Sequence, residues 1–416
     1  MRRSNLIKKV ENRIYFKIFV ALLWAQSILL EYVRGGLLKL PLLSSVADYI
    51  VPCALFIVFM MGFKTMAERL RGQDFVFVMI CLVVYVFEFW IYKRNRDYFR
   101  VCYTQFVIGA LPFYFVGVAL RGDDEEILKL LYRISCVTII AFAFYVTVVN
   151  RMDSLTLMNG DMTSSYNLLP HACLAFYYMV KKFRWYRLAI LILATISLLL
   201  MGTRGSIVCF LLFMMIVTAL SIRFKKPILL LIFVLVGGIL VSFRGIIDHM
   251  IELAYDIAEV FGLSTRVFDK LMSGNFTISS SRVLLKQRIQ YYLHEYPIVG
   301  LGIYGDLFVT EGMYAHNFFL EVYAHYGYLI GTILTLSLTA YIGRSVIYAF
   351  QNKDENAKLI SLLLLCCCFK LMVSSSYLKE PFFWLMLGYC ASLLRERHSK
   401  VDALSTSVEK RSKFIR

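Results

Sequence analysis

Charged residues are scarce in this 416-residue chain, at 18% against 59% hydrophobic residues. Soluble globular domains carry about 25% charged residues, so the composition excludes an ordinary soluble domain. In place of charge, apolar runs of about 17 to 23 residues recur, each long enough to cross a hydrocarbon core of roughly 30 Å. The sequence therefore predicts an all-α, polytopic integral membrane protein.

Acidic residues are fewer than basic ones, 28 against 45, which gives a formal net charge of +17. Such an excess is also typical of proteins that bind nucleic acid. A membrane protein has a simpler source for it, because its cytoplasmic loops concentrate Lys and Arg. We therefore expect membrane lipid as a partner and no nucleic acid.

Cofactor and metal signatures are missing from the sequence. It contains no Walker motif and no zinc-ligand spacing. Gly300, Gly302 and Gly305 match G-x-G-x-x-G, but no strand precedes them and no βαβ unit surrounds them, so they predict a turn. None of the ten cysteines lies in the polar segment 244–317, so no disulfide is expected to hold it. We expect neither a cofactor nor a metal ion.

The apolar runs predict about twelve transmembrane helices. Their ranges are 14–31, 44–63, 74–92, 103–120, 127–149, 168–180, 186–202, 206–222, 227–243, 327–348, 357–378 and 380–394. The first run lacks a small-residue cleavage site and is expected to be retained as a span. Loop charges and the positive-inside rule place both termini in the cytoplasm and the long polar segment outside. The basic loop at Lys93, Arg94, Arg96 and Arg100 disobeys this rule.

Four segments follow from this pattern. They are 1–243 with spans one to nine, the polar loop 244–317, 318–394 with the last three spans, and a basic cytoplasmic tail at 395–416. Within the loop, apolar residues at helical spacing from Ile246 to Phe261 predict an amphipathic interfacial helix. A second helix is predicted from about Arg282 to His294, ended by Pro297, and His316 is expected to open another.

Ionisable residues also occur within or near the predicted spans. They are Asp48, Glu88, Arg133, His171 and Lys370. A charge at the bilayer centre costs about 2.5–3.5 kcal/mol on insertion scales. These residues either line an outward-opening polar cavity or snorkel and pair structurally, and the sequence leaves both interpretations open.

Basic residues on the predicted outer face favour an anionic, phosphate-bearing ligand. They are Arg94, Arg96, Arg204, Arg282, Lys286 and Arg288. Arg204 lies in a tight hairpin, whereas Arg282 and Lys286 are one helical turn apart. Guanidinium groups stay charged and bind phosphate oxygens bidentately, so the arginines are the candidate ligand-binding residues.

His316 is the candidate for acid–base chemistry, because imidazole titrates near neutral pH. A capping or hydrogen-bonding histidine is the alternative. Asn317 beside it and the arginines of the same segment favour the functional interpretation.

Several motifs follow one another in the second half of the chain. They are Gly202-Thr-Arg-Gly205, Ser281-Arg282, Tyr296-Pro-Ile-Val-Gly-Leu-Gly302, Ala315-His-Asn-Phe-Phe-Leu-Glu321 and Tyr326-Gly-Tyr-Leu-Ile-Gly331. Over about residues 185–345, this order resembles the bacterial O-antigen polymerase and O-antigen ligase superfamily. Ser281 and Tyr296 stand where the family often has Gly and His, and a frequent tryptophan is missing, so the subfamily stays open.

The resemblance implies a glycosyltransferase-C-like enzyme of the bacterial inner membrane. It would take glycans from undecaprenyl pyrophosphate at the periplasmic face, with inversion and without a metal. The favoured activity is a polymerase whose acceptor is another lipid-linked repeat unit, with a chain-length regulator protein as a further partner. The alternative is an O-antigen ligase that transfers to lipid A-core. A lipid or polysaccharide transporter is the more distant alternative.

Site roles follow from the same resemblance. Arg204 and Arg282, with Arg288, would stabilise the leaving pyrophosphate, and His316 would act as the base or position the acceptor. Asn317 would orient His316 or contact sugar. Tyr291, Tyr292, Tyr304 and Tyr314 would stack on sugar faces.

Overall fold

A computed structural model of the chain describes residues 13–25, 47–121, 124–144, 162–200, 204–223, 255–256, 280–352, 354–372 and 375–415. These residues form helices and no strand, which confirms the predicted all-α class. In chain order the main helices are α1 (13–25), α2 (Ala47–Ala67), α3 (Gly72–Ile91), α4 (Arg96–Tyr103), α5 (Phe113–Leu120), α6 (Asp124–Phe144), α7 (Met162–Lys181), α8 (Trp185–Leu200), α9 (Arg204–Arg223), α10 (Ser280–Glu295), α11 (Gly305–Val309), α12 (Phe318–Gln351), α13 (Glu355–Cys368) and α14 (Pro381–Ile415).

Four helical segments among the described residues are long and apolar enough to cross a membrane. They are Gly72–Ile91, Lys93–Leu120, Glu125–Phe144 and Phe318–Gln351. Each overlaps a predicted span, so the helices suited to a bilayer were recognised from hydropathy alone. The predicted span 227–243 and the interfacial helix, apart from residues 255–256, lie outside the described residues. The count of twelve therefore stays a prediction.

Three element boundaries differ from the predicted ones. The basic loop predicted around Lys93 is instead the start of a helical run that reaches Leu120 through a 3-10 turn, α4, a π turn and α5. The helix expected to open at His316 begins at Phe318. The predicted tail from Arg395 continues α14, because no helix-breaking Pro or Gly occurs after Gly388.

The described helices divide into two compact units. The first contains Met1–Phe63 and Glu126–Thr277, and the second contains Lys64–Glu125 and Ile278–Arg416. In the first unit α7 packs against α8 and α9. Its His171 is fully buried, hydrogen-bonds Ser135 Oγ through Nδ1 at 2.9 Å, and meets the Trp24 ring edge-to-face. These contacts favour the structural interpretation of His171.

In the second unit α14 packs against α5, α12 and α13. The crossing with α5 is close: a Cβ on Gly388 would lie 1.9 Å from the Tyr114 carbonyl oxygen. Small residues allow this approach of helix backbones, as in many membrane helix pairs. The close packing against α5 determines the position of α14 and of the turn that precedes it.

The Gly-rich turn after α10 docks into a break in α12. The helix is interrupted at Gly327, whose φ and ψ are 74° and 176°. Carbonyl groups next to such a break lose their partners within the helix. Leu301 and Gly302, in the turn, donate their N–H groups to the carbonyls of Ala324 at 2.7 Å and His325 at 3.0 Å. The G-x-G-x-x-G match is therefore a turn, as predicted.

The last part of α3 and the 3-10 turn that follows it (Lys93–Asn95) bind the same Gly-rich turn. Asn95 is fully buried and donates its amide to the carbonyls of Leu301 at 2.9 Å and Ile303 at 3.0 Å. The Glu88 carboxylate accepts the N–H of Ile303 at 3.0 Å. Glu88 therefore has a structural partner. The Gly-rich turn is held by α12 and by the residues at and after the end of α3.

Gly327→Ala is expected to destabilise the protein by about 1–3 kcal/mol, because this backbone region is almost exclusive to glycine. The added Cβ would also lie 2.3 Å from the carbonyl oxygen of Ile298. Thermal unfolding of the purified protein in detergent measures the loss. Gly343→Ala in the same helix is the control, since a Cβ there meets nothing within 4 Å. Equal midpoints for the two variants would contradict the docked break.

Candidate active site

His316 lies just before α12, in a backbone conformation that side chains seldom adopt. Its φ is 54°, in the left-handed region, which only a few per cent of non-glycine residues occupy. The side chain is half-buried. Such conformations cost about 1–3 kcal/mol and cluster at functional sites. Tyr304 and Glu311 share this conformation among the described residues, and His316 is the one of the three that can titrate near neutral pH.

Asn317 caps the amino terminus of α12. Its backbone is extended, and its side-chain oxygen accepts the N–H of Leu320 at 3.0 Å. Asparagine is among the preferred residues at this position, which explains why the helix begins after Asn317 rather than at His316. The cap uses one acceptor site of the side-chain oxygen, and the amide nitrogen has two donors for a contact with sugar.

A buried carboxylate holds the segment that carries His316. Asp306 in α11 is 1% exposed. Its Oδ2 accepts the N–H of Ala315 at 3.0 Å, and its Oδ1 lies 3.0 Å from Nε2 of His325. The residue before His316 is thereby tied to α12, which stabilises the left-handed turn between them.

The same network reaches the turn before α14. Glu321 and His325 are four residues apart on one face of α12, and both are buried. Nδ1 of His325 lies 2.9 Å from the Tyr377 hydroxyl. The Glu321 carboxylate accepts from the Ser376 hydroxyl and, at 3.4 Å, from the Tyr377 N–H. Two ionisable groups thus fix the turn onto α12.

Asp306, Glu321 and His325 also form the one group of potential metal ligands found in the described part of the chain. Their ligand atoms lie within 4.8 Å of one another. These side chains already share their polar atoms with protein groups. A cation would have to displace those hydrogen bonds, so the arrangement favours a protein network. The absence of a metal stays a prediction.

Three side chains are in contact in series at the strained turn. The ring of Tyr314 lies 4.2 Å from the imidazole of His316, between centroids. Nζ of Lys379 lies 3.9 Å from the centroid of the Tyr314 ring. A cation this close to an aromatic face is attracted by the ring quadrupole. The structure therefore brings a lysine into contact with the aromatic neighbour of the candidate acid–base residue.

The predicted phosphate-binding residues lie in both units. Arg204 begins α9 in the first unit, and Arg282 lies in the first turn of α10 in the second; their side chains are outside the described part. Lys286 is exposed on α10. Arg288 forms an exposed ion pair with Glu311 at 2.8 Å. Such pairs contribute about 0–1 kcal/mol, so Arg288 can exchange Glu311 for a phosphate at little cost.

Arg94 and Arg96 have different surroundings within the second unit. Arg94 is exposed, with its guanidinium carbon 5.2 Å from the centroid of the Tyr296 ring. Arg96 donates to the carbonyl of Phe89 at 3.1 Å and of Trp90 at 3.2 Å. It therefore satisfies the last turn of α3. Arg94 keeps the character of a ligand-binding candidate, whereas the contacts of Arg96 favour a structural role.

The four tyrosines predicted to stack on sugars differ in their exposure. Tyr291 is 65% exposed, Tyr292 packs partly against the core, and Tyr314 is half-buried. Tyr304 is 5% exposed and packs against the Phe99 ring at 5.0 Å. Burial raises the pKa of Tyr304 and leaves its ring no free face, so packing is favoured over the predicted sugar contact. Tyr314 is the tyrosine next to His316.

The remaining ionisable residues of the predicted spans differ in their surroundings. Lys370 pairs with Glu380 at 2.9 Å, which favours its structural interpretation. Arg133 is exposed on α6. The side chain of Asp48 lies outside the described part of the chain. No cavity lined by these residues follows from the described contacts.

Asp306 and Lys379 were not predicted as site residues. Asp306 carries no local signal, because its partners lie 9 and 19 residues further along the chain. Lys379 is a single charge between two apolar runs and carries no further signal. His325 lies four residues after Glu321, which places both on one helix face. That spacing is the signal from which the buried network was predictable.

Comparison with known proteins gives no assignment for this arrangement: no family model matches the chain, and no curated protein matches it significantly.

Proposed function

We propose that the protein is a membrane glycosyltransferase that polymerises undecaprenyl-pyrophosphate-linked repeat units at the periplasmic face of the inner membrane. The observation that carries the proposal is the strained, half-buried His316. It is tied by Asp306 to the start of a helix suited to crossing a membrane. An acid–base group next to a bilayer surface fits an enzyme whose donor is a lipid.

The reaction forms one bond and breaks one. The acceptor hydroxyl oxygen attacks the anomeric carbon, and the bond from that carbon to the pyrophosphate oxygen breaks. His316 takes the hydroxyl proton, and undecaprenyl pyrophosphate leaves with the bonding electron pair. Attack opposite the leaving group inverts the anomeric centre. Arg204 and Arg282, with Arg288, counter the negative charge that develops on the pyrophosphate.

The proposed topology has twelve spans, cytoplasmic termini and a periplasmic loop at 244–317, and the contacts of α3 agree with one part of it, the placement of the basic tail and the candidate site on opposite sides. Asp74 near the start of α3 pairs with Arg395, and Glu88 near its end binds the Gly-rich turn. Fourteen residues of helix separate them by about 21 Å. The basic tail and the candidate site thus lie at opposite ends of an apolar helix, as inside and outside positions require.

His316→Ala and Arg282→Ala are expected to lower polymer formation by about 10²–10⁴-fold, the range for removing a positioned acid–base group or a charge stabiliser. A deletion strain complemented with each variant at matched expression shows this in its glycan profile. Wild type should restore a long ladder, and both variants should leave single-repeat product. His294→Ala is the matched control, because this histidine is exposed on α10.

The same profile separates the alternatives. A ligase predicts that the deletion strain accumulates lipid-linked polymer, whereas a polymerase leaves single repeat units. A full ladder from both variants would overturn the site, and glycan transport that survives both would favour a transporter.

A further inference from the structure

Lys379 differs in its partners from Lys370 and Arg288, two other cations of the second unit. Lys370 pairs with Glu380 at 2.9 Å and Arg288 with Glu311 at 2.8 Å. Within the described part of the second unit, Lys379 has no carboxylate within ion-pair distance. Its ammonium contacts the face of the Tyr314 ring instead.

An aromatic ring does not replace the hydrogen bonds that an ammonium donates to water. The group has three N–H donors, whereas the ring face attracts the charge as a whole. Lys379 is half-buried, so part of its water shell is lost. A partly desolvated cation with its donors available favours an anionic ligand.

We propose that Lys379, held over Tyr314, binds a phosphate oxygen of the lipid pyrophosphate donor beside His316. The assignment rests on the proposed function. It adds a cation that lies one aromatic ring from the imidazole, where charge on the leaving pyrophosphate develops as His316 accepts the proton. Tyr314 then serves as the platform that positions the lysine.

The surroundings of Lys379 give the proposal a pH signature. Burial lowers the pKa of Lys379 below 10.5, and Lys370 lowers it further, while Glu321, Cys102 and Glu380 act in the opposite direction. The ammonium is charged below its pKa, so phosphate binding is strongest there and weakens as the pH rises through that value. A lysine with an unperturbed pKa would lose its charge only nearer pH 10.5.

Binding of farnesyl pyrophosphate to the full chain in neutral detergent, measured by calorimetry, tests the proposal. Lys379→Met is expected to weaken binding by about 10- to 100-fold, the value of a charged hydrogen bond. Lys379→Arg should stay within about threefold, because it keeps the charge. The affinity of the wild type for farnesyl pyrophosphate should fall as the pH rises through the pKa of Lys379, whereas the affinity of Lys379→Arg should not change over the same pH range.

The controls separate binding from folding and from other anions. Lys358→Met removes a lysine already paired with Glu355 and should bind as wild type does. Farnesol, which has no phosphate, should bind all variants equally, and thermal midpoints report any structural role of the cation–π contact. Excess phosphatidylglycerol in the micelles should not compete, because the proposed ligand is the pyrophosphate and not a phospholipid headgroup.

Unchanged affinity in Lys379→Met, no binding of farnesyl pyrophosphate to wild type, or full competition by phosphatidylglycerol would each overturn the proposal. Its failure is distinct from that of the proposed function. If Lys379→Met binds farnesyl pyrophosphate with wild-type affinity and its strain makes a normal ladder, the proposed role of Lys379 is wrong and the proposed function is unaffected. If Lys379→Met loses affinity but the wild-type gene restores no ladder, the proposed anion site stands and the proposed polymerase activity is wrong.

Discussion

Asp306→Ala is expected to abolish the polysaccharide ladder and to lower the free energy of unfolding by about 2–5 kcal/mol. The substitution leaves two buried groups without their partner, the N–H of Ala315 and Nε2 of His325. Each orphaned group of this kind costs about 1–3 kcal/mol. The ladder is lost because the turn that presents His316 then lacks the hydrogen bond through which Asp306 ties Ala315 to α12.

Asp306→Asn separates the hydrogen bond from the charge. The amide oxygen can still accept the N–H of Ala315, and the amide nitrogen can donate to a neutral His325 imidazole. We expect this variant to regain most of the thermal stability and a measurable ladder. Asp97→Ala is the control, because this aspartate is 90% exposed and only weakly paired with Arg100. It should change stability by no more than about 0.5 kcal/mol.

The two readouts distinguish positioning from simple stability. A ladder lost in Asp306→Asn at wild-type stability would show that the negative charge itself acts on the reaction through His325. An Asp306→Ala protein with wild-type stability and a full ladder would show that the buried carboxylate does not hold the His316 turn.

Local signals predicted the elements that frame the site. Serine and asparagine caps, a proline after a helix and glycines in a turn are read from neighbouring residues. They placed α10, the Gly-rich turn and, within two residues, the start of α12. The long apolar runs predicted membrane helices because span length depends only on bilayer thickness.

The network around Asp306 was beyond such signals, because it depends on tertiary contacts. The hydrogen bonds of Asp306 exist only once the Gly-rich turn has docked into the break at Gly327. Tertiary contacts also explain two other differences. Arg96 was predicted to bind phosphate, yet the carbonyls that end α3 take its donors. Tyr304 was predicted to face sugar, yet the core takes its ring.

Arg395→Met is expected to lower the free energy of unfolding by about 3–5 kcal/mol, the cost of leaving a buried charge unpaired. The Asp74 carboxylate is fully buried, and both of its oxygens accept from the Arg395 guanidinium. After the substitution, the donors that remain to it in the described part of the chain are the Tyr114 hydroxyl at 3.2 Å and the Arg71 N–H at 2.8 Å. Thermal unfolding in detergent measures the loss.

A double-mutant cycle isolates the ion pair from other effects of the substitution. Asp74→Asn keeps the shape of the side chain and removes the charge that needs Arg395. Combined with Arg395→Met, it should cost about 1–3 kcal/mol less than the sum of the single changes. Arg397→Met is the control on the same helix, because Arg397 is exposed. Strict additivity would show that the two charges do not interact.

The glycan profile gives the Arg395 experiment its link to function. The ion pair lies about 21 Å along α3 from Glu88 and the Gly-rich turn, too far to touch a reacting group. Arg395→Met should therefore yield less folded enzyme but, per folded molecule, a ladder of normal length. Asp306→Ala should lose the ladder even where folded protein remains. A ladder shortened in Arg395→Met at matched folded protein would show that α3 transmits changes from the end that carries Asp74 to the candidate site at its other end.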